Sequence, residues 1–232
     1  MTQTKRLRHP PAGGYARGDE TRQRIIDAAV KLFGEHGFAG ASTRDIATAA
    51  CVNAPALQYY FENKEGVYQA CAEFITSDLK ARFAPAMRQA RDALKSDGGG
   101  TDALIDAFLG IQAATLDAVL MQPCASSRRL FIARELADEE PAMASKLLQR
   151  RLKQPLNKMT ITLLSRIVGT DPNDPVMRIR LLALKGQIMP FYHLPNACLH
   201  MLGWKEIDAA KGALLKATVL DQTRTLLQAW RV

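Results

Sequence analysis

The sequence predicts an all-α chain: a small N-terminal three-helix helix-turn-helix unit followed by a larger helical domain. Three observations predict it. Apolar residues recur at three- and four-residue spacing, as in Ile25, Ile26, Ala29, Leu32 and Phe33. No pair of runs alternates with the period of two that paired, half-buried strands need. The breaks between periodic stretches carry helix caps and breakers, such as Asn53, Asn63, Gly37, Pro123 and Gly169-Thr170-Asp171-Pro172.

Residues 1–18 hold Lys5, Arg6, Arg8 and Arg17 with no acid, interleaved with Pro10, Pro11, Gly13, Gly14 and Gly18. Such a composition packs no core, so a flexible basic arm is expected. It is either a solvated tail or an arm that touches DNA phosphate or the minor groove. The first helix is expected from Asp19, with Glu20 in its favourable first turn and Gly37 at its end. Phe38 then re-enters the core. Ser42 starts the second helix, and Asp45 three residues on makes a capping-box-like pair. Ile46, Ala47 and Ala50 face inward, and the small alanines permit close helix approach. Cys51-Val52-Asn53 forms the turn. Asn53 caps the third helix, and Pro55 is tolerated in its first turn, where no intrahelical donor is needed. Leu57, Tyr60 and Phe61 anchor that helix. Asn63 caps a fourth, running from Lys64 towards Phe83, where Pro85 helps end it.

Helical stretches are then expected at about 86–95, 102–121, 126–138, 141–168, 175–189 and 205–230. Ser96 to Gly100 is a loop, and Pro123 and Pro141 mark boundaries. Pro155 kinks the fifth stretch, because it removes a backbone donor and clashes with the preceding turn. Pro190 and Pro195 interrupt the apolar run from Ile188 to Leu202. The expected division is an arm at 1–18, a helix-turn-helix unit at 19–66 and a helical domain at 67–232.

Net charge is +8, with a pI near 9.5, which suits a polyanionic partner. Residues 1–64 carry nine Lys/Arg against six Asp/Glu, so the excess is not confined to the N-terminal end. Cys51, Cys71, Cys124 and Cys198 are widely spaced with no CxxC, arguing for a reducing cytoplasm and against a zinc site or disulfide framework. The N-terminus has no apolar signal-peptide core, and no run of 18 apolar residues predicts a membrane span. There is no HExxH, Gly-rich phosphate loop or GxSxG, and His36 has no clustered carboxylates, so catalysis, metal and cofactors find no support.

Helix one and the Ser42–Lys64 stretch together resemble the DNA-binding domain of TetR-family transcriptional regulators. The matching residues are Ala28, Ala29, Leu32, Phe33, Gly37, Thr43, Arg44, Ile46, Ala47, Ala50, Val52, Leu57, Tyr59, Tyr60, Phe61, Lys64 and Glu65. Farther on, Arg134-Glu135, Gly186-Gln187 and Leu202-Gly203-Trp204 are similar to the CecR-like (formerly DUF1956) branch. The resemblance implies a homodimer on double-stranded operator DNA, its two third helices in successive major grooves. It also implies a C-terminal domain that dimerises and encloses a small-molecule pocket. Ligand binding would move helix four and release the DNA.

The expected DNA-binding residues are Thr43, Arg44, Ala54, Pro55, Ala56, Gln58, Tyr59, Tyr60 and Lys64. Thr43 and Arg44 lie where backbone donors and the helix dipole favour phosphate, and Arg44 can also reach a guanine edge. Gln58 can read adenine, while Ala54 and Ala56 can touch thymine methyls. Tyr59 and Tyr60 either donate to phosphate or pack. Lys64 matches the family's phosphate-clamping lysine. Two positions depart from the family. Cys51 stands where many members have Gly, in a turn that often needs a left-handed backbone. Gln58 replaces a common aromatic.

The ligand-binding candidates are Phe108, Met121, Phe131, Met189, Tyr192, His193 and Trp204, with Arg134 and Gln187 as polar members. Phe191 and His200 belong to the same apolar stretch. Each aromatic or Met can instead be plain core, and Arg134 can pair with Glu135 or Asp138. The series Lys146, Arg150, Arg151, Lys153 and Lys158 is either a solvated face or an attractor for an anionic effector. Val176, Ile179, Leu182, Leu184 and Ile188 form one apolar stripe. Ile207, Leu214, Leu215, Val219, Leu226 and Trp230 form another, and the two are expected to meet their mates in a dimer. The leading reading is a ligand-responsive repressor in the cytoplasm. The alternatives are an activator of the same fold, or a helical small-molecule binder without specific DNA binding.

Overall fold

The computed structural model describes residues 13–96, 100–120, 127–136 and 146–231. Eleven α-helices and one π-helical turn account for nearly all of these residues, and no strand occurs among them. Helix α1 spans Gly13–Gly40, α2 Thr43–Ala49 and α3 Ala54–Phe61; α4 spans Lys64–Lys95, α5 Gly100–Leu120 and α6 Ser127–Leu136. A π-helical turn at Gln149–Lys153 leads into α7, Gln154–Val168. Then come α8 at Pro175–Gly186, α9 at Met189–His193, α10 at Pro195–Leu202 and α11 at Ala209–Trp230.

The caps of α2, α3 and α4 form where the sequence places them. The Ser42 hydroxyl accepts from the Asp45 N–H and donates to the Asp45 carboxylate at 2.6 Å. Asn53 accepts from the Ala56 N–H and Asn63 from the Gly66 N–H, each at 2.8 Å. These side chains satisfy donors that a helix start leaves without partners. Gly37 breaks α1 at φ 72°, and a further turn follows to Gly40. The aromatic rings of Phe33, Phe38 and Tyr68 then pack together with centroids 4.9–5.9 Å apart.

Several boundaries differ from expectation. Helix α1 begins at Gly13, not Asp19, so residues 13–18 are helical; the rest of the expected arm, 1–12, lies outside the described residues. Extending a formed helix costs far less than nucleating one, which lets the glycines follow. Helix α4 runs through Pro85 to Lys95. The proline ring is exposed while Phe83, Ala86 and Ala90 are buried, and packing on α5 holds the helix across the missing bond. Pro155 sits in the first turn of α7, directly after the π-helical turn, where a wider backbone ring accommodates a residue with no N–H. Pro190 and Pro195 each open a short helix, with Leu194 out of helical geometry between them. Pro123 and Pro141 lie outside the described residues.

Helix α5 is long and apolar enough to cross a membrane by composition, but it is the central strut of the molecule. It packs on α4, α7 and α11, burying Leu104, Ile105, Phe108, Ile111 and Leu116. Pairs Lys216–Asp117, Arg224–Asp106 and Arg231–Asp102 tie α11 to its outer side. One core cluster joins α1–α4 to Phe131, Leu148 and Leu152; a second lies among α4, α5, α7 and α8. The first includes Cys71, whose thiol is pushed up by burial and so remains a packing group rather than a nucleophile.

Candidate functional site

The N-terminal site is built by the α2–turn–α3 unit. Ala47, Ala50, Leu57 and Phe61 face the core and fix the angle between the two helices. The turn is a Schellman cap: Cys51 N–H donates to the Thr48 carbonyl at 3.1 Å and Val52 N–H to that of Ala47 at 2.9 Å. It demands a left-handed residue, and Cys51 adopts φ 54°.

This packing leaves Arg44, Ala54, Pro55, Gln58 and Tyr59 exposed, with Thr43 half-buried at the start of α2. The Tyr59 ring is 84% exposed. Tyr60 and Ala56, by contrast, are half-buried, and Tyr60 packs edge-on to Tyr59 at 5.3 Å. Ala56 therefore stands less open than the outer position expected for it, because it shares the inward side of the short helix with Tyr60. Thr43, Gln58 and Lys64 line one shallow depression together with Ser42 and Asn63. The Lys64 ammonium folds back, 4.5 Å from the Phe38 ring centroid and 3.5 Å from the Ala39 carbonyl. That anchors the start of α4 to the end of α1 and keeps the ammonium at the rim of the depression.

The second site is a cavity of about 540 Å³ between α4, α5, α6, α7 and α9. Phe108, Met189, Tyr192 and His193 line it, as do Leu79, Phe83, Ile111, Leu152 and Leu184. The other candidates lie elsewhere. Phe131 packs on Tyr68, centroids 4.9 Å apart, in the N-terminal core. Arg134 donates to the carbonyls of Gly34 and Glu35 at 3.1 and 3.3 Å, which ties it to the end of α1. Gln187 accepts from the Thr223 hydroxyl at 3.2 Å, tying the end of α8 to α11. Trp204 packs by Leu215 and Val219, near Lys211. Phe191 joins that cluster too. Met121 is outside the described residues.

Of the polar lining, Arg129, Lys185, Asn157 and Gln112 were not among the candidates. Arg129 is buried and donates to the carbonyls of Phe191 and Tyr192 at 2.7 and 3.1 Å, fixing α9 to α6. Lys185 donates to Asn157, and burial pulls its ammonium below the usual lysine range. Gln112 is only 6% exposed and its Oε1 has no partner; the Tyr192 hydroxyl is likewise buried without one. Burial pushes the Tyr192 phenol up, opposed by Arg129. A polar Gln112 inside the most apolar helix was the one signal in the sequence that pointed here. Of the basic series, Lys153 lines the cavity while Lys146, Arg150, Arg151 and Lys158 are solvent-exposed.

Helix α6 joins the cavity to α1. Its Arg129 and Ile132 line the cavity, and its Arg134 holds the end of α1. Between them, Arg128 pairs with Asp78 of α4 at 2.8 Å and lies 5.2 Å from the Phe74 ring centroid. Gly34 lets the two backbones meet: a Cβ there would stand 2.1 Å from the Ser127 carbonyl oxygen.

Comparison with known proteins accords with this architecture. Residues 25–71 match the family model for bacterial regulatory proteins of the tetR family. Residues 104–230 match that for the C-terminal domain of the HTH-type transcriptional dual regulator CecR. The CecR protein of Shigella flexneri is 30% identical over 212 residues, 91% of this chain and 93% of that protein. Among solved structures, AibR in complex with isovaleryl coenzyme A and operator DNA aligns with a TM-score of 0.58 at 14% identity. That alignment covers 89% of this chain and 97% of AibR. The Bacillus subtilis regulator FadR in complex with stearoyl-CoA aligns at 0.55 and 14%, covering 88% and 97%. With its reading unit and its C-terminal half matched in order, the chain belongs to the TetR family of bacterial transcriptional regulators, in the branch with a CecR-type C-terminal domain.

Proposed function

We propose that the protein is a homodimeric, cytoplasmic repressor that leaves its operator when a small molecule enters the α4–α9 cavity. The observation that carries the DNA-reading part is Tyr59, an aromatic side chain 84% exposed in a unit whose other large apolar side chains pack. It shares an open face with Arg44 and Gln58, one suited to phosphate and base-edge contact. Thr43, Tyr60 and Lys64 flank that face as phosphate partners, and Ala54, Pro55 and Ala56 supply close apolar approach.

The cavity is of a size usual for small-molecule sites. Helix α6 is the element that couples it to the reading unit. A ligand that moves Arg129 or Ile132 also moves Arg134 against α1 and Arg128 against α4. The lever expected in α4 is thus supplemented by α6. Dimerisation is supported by Val176, Ile179 and Leu182, which form an exposed stripe on α8, and by Leu214 and Leu226 on α11. Leu184, Ile188, Leu215 and Val219, expected in the same stripes, are instead buried within the chain.

The test is DNA binding by variants. Arg44→Ala and Gln58→Ala should each cost about 1–3 kcal/mol at the operator and relax base preference at one position. Lys64→Gln should weaken binding to every sequence alike and reduce the salt slope by about one. Unchanged affinity in all three would remove the reading face assigned here. A second reading, activation at some promoters, is favoured by the Shigella flexneri relative, whose name is that of a dual regulator. Transcription from the bound promoter, measured with and without protein, separates the two.

A further inference from the structure

The cavity wall carries Arg129, Lys153, Lys185 and His193, and no Asp or Glu among its described lining residues. Otherwise it is mostly apolar, with Leu79, Phe83, Phe108 and Ile111 on one side. A cation withdrawn from water loses hydration that only an opposite charge or strong acceptors replace. Lys185 has one amide oxygen from Asn157, and burial weakens its hold on the proton. On the same cavity wall, two polar groups wait without partners: the Tyr192 hydroxyl and Gln112 Oε1. A hydroxyl donates readily to an acid oxygen, and the Gln112 amide, turned about its last torsion, offers an N–H to the same kind of group. Arg129 is held by two carbonyls, so its guanidinium is already oriented.

We propose that the effector is an anionic amphiphile: an apolar body bearing one carboxylate-type head, with the head received by Lys185, Tyr192 and Arg129 and the body laid along Phe83, Phe108 and Ile111. The proposal rests on the cavity being the effector site. It narrows that site to one charge class, because a neutral apolar molecule would leave the Lys185 ammonium with a single amide oxygen and both orphan groups as they are, and a cation would add repulsion.

The probes are three ten-carbon chains that differ only in the head: decanoate, decan-1-ol and decylamine. Each is titrated calorimetrically into the full chain, below its micellar concentration. Decanoate should bind at least about tenfold more tightly than decan-1-ol, the ratio a charge-assisted hydrogen bond supplies, and decylamine should bind weakest. Tyr192→Phe removes only a hydroxyl that has no partner, so the variant should melt no lower than the parent yet bind decanoate about fivefold to tenfold more weakly. Lys185→Gln should show the same loss, with decan-1-ol affinity falling by a smaller factor in both. Equal binding of acid and alcohol would overturn the anionic head while leaving an apolar effector site standing. Failure of all three to bind, or full decanoate affinity in both variants, would also overturn it. Operator binding, measured separately, decides the regulatory reading on its own.

Discussion

At the scale of single residues, Cys51 is the clearest departure from local rule. Three described helix ends close in a Schellman cap on Gly169, Gly203 and Cys51, while α3 ends on Glu62 at φ 52° without one. Two use glycine, which adopts that backbone freely; Cys51 does so against its Cβ. Cys51→Gly should therefore raise stability by up to about 1 kcal/mol, a rise in Tm of roughly 2–4 °C for a chain this size. The side chain is exposed, so no packing is lost. A lower Tm by calorimetry would contradict this account of the turn. The cap, the turn and the open face of Arg44, Gln58 and Tyr59 were all legible in the sequence, because each depends on neighbours only a few positions away. The cavity was legible only in part. Phe108, Met189, Tyr192 and His193 line it, but Arg129, Lys185 and Asn157 are brought there by packing between distant helices, which local spacing does not encode.

Among elements, α6 sets how the two sites are related. Its closest approach to α1 is at Gly34, and the sign of a substitution there separates two explanations. By helix propensity alone, Gly34→Ala should stabilise by up to about 1 kcal/mol. By contact, its Cβ would stand 2.1 Å from a backbone oxygen of Ser127, and α1 and α6 would have to part. The contact governs, because that backbone cannot turn aside as a side chain does. The expected result is a loss of about 1–3 kcal/mol, together with weaker coupling between effector and DNA. An unchanged or higher Tm would show that α6 is not tightly seated on α1. Helix existence was readable from periodicity throughout, but helix ends were not. Pro85 failed to stop α4 because tertiary burial on both sides of it outweighs one missing bond, and the contact of Arg134 with the end of α1 exists only once α6 is folded against it.

In the whole molecule, the stripe of Val176, Ile179 and Leu182 has no cover among the described residues, and Leu182 is 71% exposed. Beside it, Arg180 lies 4.8 Å from the Trp230 ring centroid, so α8 and α11 present one continuous surface. Ile179→Glu with Leu182→Glu should convert a dimer to a monomer in sedimentation at micromolar concentration without unfolding it; an unaltered dimer would place the interface elsewhere. Two of the five residues expected in that stripe were misread in the sequence, since Leu184 and Ile188 share the periodicity but turn into the chain's own core. The central claim, that this chain reads a specific DNA site, is tested most directly by titrating labelled duplex from its own upstream region against a shuffled duplex of the same composition. The upstream duplex should bind about a thousandfold or more tightly at physiological salt, with affinity for both falling steeply as salt rises. Equal affinity for the two, at any salt, would contradict it.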